Sequence, residues 1–65
     1  MKKTTKTISI IGRYEWEIRN NYETVCYVIN LYDAIEIAKK VDPTKDIIVK
    51  DLAEEITQRI KASQV

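Results

Sequence analysis

The chain has no histidine and no phenylalanine, and only one each of cysteine, glycine, proline and tryptophan. Each shortage excludes something. Without histidine, the side chain that titrates nearest neutral pH is missing, so acid–base catalysis would need a carboxyl or amine with a strongly shifted pKa. Cys26 stands alone, which excludes an intrachain disulfide and leaves a zinc site without its usual nitrogen and sulfur ligands. A single glycine excludes a glycine-rich phosphate loop. It also leaves little room for long loops, and no linker or low-complexity tract is visible. The ends, about residues 1–4 and 63–65, are expected to be loose.

Charge of one sign is also lacking. Eleven basic residues meet ten acidic ones, for a net charge of +1. That balance gives no global attraction to phosphate backbones or anionic membranes. The one local basic excess is Lys2, Lys3 and Lys6; a solvated tail is the plainer expectation for it, and nucleic acid is not an expected partner. No apolar h-region follows Met1-Lys2-Lys3, and no run approaches membrane-spanning length. A soluble, cytoplasmic protein is expected, with no membrane partner, and the unpaired cysteine fits a reducing compartment. The 65 residues are read as a single domain, 1–65. A domain of this size buries only about 60% of its unfolded surface. With disulfide and zinc excluded, self-association is the remaining support, and a homodimer is expected.

What the chain does have is eleven isoleucines and a period-2 pattern. Ile8, Ile10, Tyr14, Trp16 and Ile18 are apolar at even positions, between Thr7, Ser9, Arg13, Glu15, Glu17 and Arg19. After Asn20-Asn21 the apolar set reads Val25, Tyr27, Ile29 and Leu31 at odd positions. A two-residue turn at Asn20-Asn21 would set Trp16 opposite Val25, Tyr14 opposite Tyr27 and Ile10 opposite Leu31. The pattern therefore predicts one long hairpin, strand Thr5–Arg19 against strand Tyr22–Tyr32, with a twist or bulge at Gly12. Both apolar sets would form one core face.

At Asp33 the period changes. Asp33-Ala34-Ile35-Glu36 reads as a capping box, and Ile35, Ala38 and Val41 follow at helical spacing. Asp42-Pro43-Thr44 ends this helix. Ile47-Ile48-Val49 is a β-branched run, followed by a second capping box at Asp51-Leu52-Ala53-Glu54 and a helical face of Leu52, Ala53, Ile56 and Ile60. The predicted class is α+β, a two-layer domain in the order β-β-α-β-α with the helices on one sheet face. Residues 47–50 are the ambiguous stretch, since a helix starting near Pro43 would absorb them. As a strand they would run parallel to the second strand and beside the first, antiparallel to it.

Candidate chemistry is sparse. Asp33, Asp42, Asp46 and Asp51 are the available acids, and caps or turns account for all four. Their spacing does not match a calcium loop. Cys26 lies mid-strand without a histidine partner, as an inert thiol would. No catalytic residue, metal or cofactor is expected. Trp16, Tyr14 and Tyr27 share the parity of the presumed core, so packing outweighs a role as base-stacking platforms. The opposite parity gives a second face. Ile11, Cys26 and Val28 come close in this register, with Tyr22 and Tyr32 on the same face and Arg13, Glu15, Glu17 and Arg19 at its border. Ile11, Arg13, Tyr22, Cys26, Val28 and Tyr32 are therefore the candidate partner or dimer surface, set against an ordinary solvated sheet face.

These features point to a small non-enzymatic protein that acts by stoichiometric contact with a protein partner. Inhibitors and regulatory factors of phages or mobile elements are often this short and lack catalytic groups. A second pattern is similar to ribbon-helix-helix regulators, with Thr24–Asn30 as the ribbon, Leu31–Val41 as the first helix and Asp46–Ala62 as the second. It implies an obligate dimer whose ribbon enters the major groove. The outward ribbon residues would be Thr24, Cys26 and Val28, poor readers of base edges. A structural homo-oligomer is the third reading.

Overall fold

The computed structural model describes residues 4–62. Lys2, Lys3 and most of the ends expected to be loose lie outside these residues. Among the described residues the fold is α+β, with one helix and a five-stranded mixed sheet. The strands are β1 (Thr7–Gly12), β2 (Trp16–Asn20), β3 (Glu23–Val28), β4 (Asp46–Asp51) and β5 (Ile56–Ile60), and α1 spans Leu31–Val41. Their order in the sheet is β3-β2-β1-β4-β5. All neighbours are antiparallel except β1 and β4, which are parallel.

The element order corrects the expected β-β-α-β-α. The first long strand is itself a hairpin, β1 and β2, closed by the pair Gly12↔Trp16 around Arg13-Tyr14-Glu15. A three-residue loop pairs positions of equal parity, so Ile10 faces Ile18 and the even-numbered apolar set continues through the turn unbroken. Gly12 makes the turn possible. A Cβ there would stand 2.0 Å from the Glu15 carbonyl oxygen.

The next turn is Asn21-Tyr22, one residue later than expected, with φ of 54° and 66°. Asn20 pairs with Glu23 and Arg19 with Thr24, but Ile18 pairs with Cys26. Val25 is thus an extra residue in a bulge, and one extra residue turns every later side chain to the other face. Trp16 lies opposite Val28, not Val25, and Tyr27 lies opposite Glu17, not Tyr14. Cys26 and Val28 accordingly pack against the core, while Val25, Tyr27 and Ile29 are exposed.

Residues 47–50 are strand, within β4. They run parallel to β3 and lie beside β1, but parallel to it, because the chain has already reversed at Arg13-Tyr14-Glu15. The second helix is absent from the described residues. Asp51 Oδ1 does accept from the amides of Ala53 (3.0 Å) and Glu54 (3.1 Å), as a cap would. Glu55 then turns to φ 55° and Ile56 pairs back on Asp51. Ile56 and Ile60 fit period 4 and period 2 alike, and the unpaired edge of β4 decides for the strand. With no second helix, the ribbon-helix-helix arrangement is not formed, and the supposed ribbon pairs with β2 of its own chain.

Asn30, rather than Asp33, caps α1: its side chain accepts from the Tyr32 amide at 2.8 Å, and Asp33 sits in the first turn. Ala34 and Ala38 are fully buried, so the helix axis approaches the sheet closely. They complete a core of Ile8, Ile10, Trp16, Ile18, Ile47 and Val49. Lys45 ties the far side together. Its Nζ donates to Asn20 Oδ1 (2.7 Å) and Asn21 Oδ1 (2.8 Å). Thr5 is anchored as well, donating its amide to Asn21 Oδ1 and accepting the Asn21 amide at its hydroxyl. No helix among the described residues is long and apolar enough to cross a membrane.

Candidate functional site

An α-helix is about 10 Å wide, and strands stand about 4.8 Å apart. One helix therefore covers only part of one side of five strands, and no helix or strand among the described residues covers the other side. The strand registers fix what that open face presents. One row across it reads Tyr27, Glu17, Ile11, Lys50 and Thr57. The next reads Thr24, Arg19, Ser9, Ile48 and Arg59. Ile11 and Ile48, both half-buried, form an apolar centre between charged neighbours.

The charges are largely matched within the face. Arg19 Nε lies 3.7 Å from Glu17 Oε2, which also accepts from the Thr24 hydroxyl. Arg59 holds Asp46 through Nε (2.9 Å) and Nη2 (2.6 Å), and the Ala62 amide donates to the second Asp46 oxygen at 2.9 Å. The Ala62 amide first, and the Arg59 guanidinium next, hold the Asp46 carboxyl below its ordinary value of 3.8. Asp42 is lowered too, by the Thr44 hydroxyl and amide and more weakly by Lys45. Both shifts follow from hydrogen bonds that close a turn or pin a strand end.

At the β1–β2 loop the open face carries a broad, shallow cleft of about 500 Å³, largely open to solvent. Ile11, Tyr14, Tyr27 and Leu52 supply its apolar lining, and Arg13, Glu15 and Glu17 its charges. Arg13 donates to the Leu52 carbonyl at 3.5 Å. The two form a ridge between this cleft and a second one bordered by Lys50, Ile56 and Thr57. At the opposite end of the face, Thr5, Thr7, Ser9, Arg19 and Tyr22 border a smaller hollow. All four tyrosines are exposed: Tyr14 by 81%, Tyr32 by 78%, Tyr22 by 65% and Tyr27 by 63%. Tyr22 also occupies a left-handed turn position where glycine would be unstrained.

The expected surface is therefore divided. Ile11, Arg13 and Tyr22 belong to the open face or its border. Cys26 and Val28 lie on the helix side against the core, and Tyr32 stands on the first turn of α1. The bulge at Val25 exchanges them for Tyr27. Tyr14, Tyr27, Ile48 and Leu52 join the face without having been expected there. Glu23-Thr24-Val25 carries no glycine or proline that would have marked the bulge. The described residues contain no cluster of three or more metal-ligating side chains. No family model, no curated protein and no solved structure matches the chain.

Proposed function

We propose that the protein is a small non-enzymatic binding protein that acts by stoichiometric contact with a protein partner, through the open face of its sheet. The observation that carries this reading is the pairing of exposed Tyr14 and Tyr27 with Ile11 and Leu52 in one cleft edged by both signs of charge. Tyrosine gives a large contact area for little lost side-chain entropy, and tyrosine and arginine dominate interface hot spots. Five strands make a face about 24 Å wide, of the order a standard interface needs. Glu15 and Glu17 stand beside Arg13 in the cleft, which favours a protein partner of mixed charge over a nucleic-acid backbone.

The test is affinity capture from the organism that encodes the protein, with three variants run beside the wild type. Tyr14→Ala and Tyr27→Ala should each lose a partner that the wild type holds in fixed stoichiometry. Tyr32→Ala, on the helix, should keep it. Equal retention by all three variants, or a nucleic acid as the retained species, would overturn the reading.

A further inference from the structure

The two edges of the sheet are not alike. On β3 the bulge at Val25 interrupts the ladder, and bulges are a common guard against strand addition. The other edge is β5, whose register with β4 is regular over all five residues, with no proline or glycine. Residues 56–59 are exposed and Ile60 is half-buried. Arg59, the one charge on the strand, would normally guard such an edge. Its guanidinium is instead drawn inward over β4 by Asp46.

β5 is also self-complementary. Two-fold antiparallel pairing must place some residue opposite itself. Centred on Gln58, it sets Ile56 beside Ile60 of the second copy twice on the helix side. Thr57 lies beside Arg59 of the second copy twice on the open side, and the two Gln58 amides meet in the middle. Centred on Arg59, two guanidinium groups would face each other. Centred on Thr57, the pairing would run into Glu55, whose left-handed backbone leaves the ladder. Only the Gln58 register uses the whole strand without a like-charge pair. On the helix side, α1 packs chiefly on β1, β2 and β3. A groove lined by Leu31, Val49, Ile56 and Gln58 is left above β4 and β5. An added strand would extend the apolar row beside that groove.

We propose that β5 pairs antiparallel with β5 of a second copy of this chain, centred on Gln58, to make a continuous ten-stranded sheet. The site lies at the sheet edge and does not depend on the open-face reading. Sedimentation equilibrium from low to high micromolar concentration tests it, with folding checked by circular dichroism. The wild type should reach the dimer mass. Gln58→Glu and Gln58→Lys should each weaken dimerisation by about tenfold or more, because each sets like charges face to face. An equimolar mixture of the two should recover a dimer, now a heterodimer. Tyr27→Glu, on the open face, should leave the dimer intact. A wild type that stays monomeric at high micromolar concentration would overturn the proposal. So would single variants that dimerise undiminished, or a mixture that fails to recover the dimer. Loss of the dimer on Tyr27→Glu alone would place self-association on the open face instead.

Discussion

Ile10 and Ile11 are neighbours in β1, yet they belong to different surfaces. Ile10 is fully buried among Ile8, Trp16, Ile18 and the helix alanines, while Ile11 is half-buried beside Glu17 and Lys50. The same contrast runs through β4, where Ile47 and Val49 are buried and Ile48 is not. The strands thus carry β-branched residues on both faces, but the described residues supply a covering layer for only one. In a domain whose total stability is ~5 kcal/mol, the covered face holds the fold together. The uncovered face keeps apolar surface at little cost to the fold, and the proposed partner contact rests on that surface.

The comparison breaks most severely at Trp16. Trp16→Ala should cost about 3–5 kcal/mol, the range for removing a large buried aromatic. Urea unfolding checks this, and a shift of less than 1 kcal/mol, on the order of a surface change, would move Trp16 to the wrong side of the comparison. Gly12→Ala should come next, at about 1–3 kcal/mol, because its Cβ meets the Glu15 carbonyl and the β1–β2 turn must open. An unchanged unfolding midpoint would show that the turn is closed some other way.

Tyr22→Gly should act in the opposite sense. Relieving the left-handed tyrosine should stabilise the fold by up to about 1 kcal/mol. Partner capture should weaken in the same variant if Tyr22 serves the open face. A gain in stability with undiminished capture would separate the turn from the contact surface.

Asp46 gives a smaller, pH-dependent effect. Its folded pKa is depressed, so its contribution is fully present above the unfolded value near 3.8 and is lost as pH falls through the lower folded value. Asp42 contributes with the same sign. Unfolding midpoints should therefore drop below about pH 4, and Asp46→Asn should flatten part of that drop. An Asp46→Asn protein with the wild-type acid profile would show that the Arg59–Asp46–Ala62 clamp carries none of it.

How much of this was legible in the chain depends on whether parity was enough. The buried face of β1 and β2 was, because Ile8, Ile10, Trp16 and Ile18 keep their parity whether the segment is one strand or a hairpin with a three-residue loop. That same invariance concealed the turn, with only Gly12 to mark it. α1 was legible from its helical spacing, whereas β4 was legible only as one of two readings, since its β-branched run could also have continued a helix from Pro43, and its direction beside β1 was not legible at all. The open face was not, since one bulge residue, Val25, exchanges Cys26 and Val28 for Tyr27 and leaves no mark in composition. At the C-terminal end, Asp51 caps a turn in the expected way. Local capping does not say whether one helical turn or three will follow, and pairing with β4 decides that.

The division of the sheet is tested most directly by two single substitutions in β1, Ile10→Ala and Ile11→Ala, measured by urea unfolding and by partner capture. Ile10→Ala should cost about 2–5 kcal/mol. Ile11→Ala should cost ~1 kcal/mol or less and should weaken capture while the protein stays folded. Equal destabilisation by the two, with capture unchanged in the Ile11 variant, would contradict the assignment of stability to one face and contact to the other.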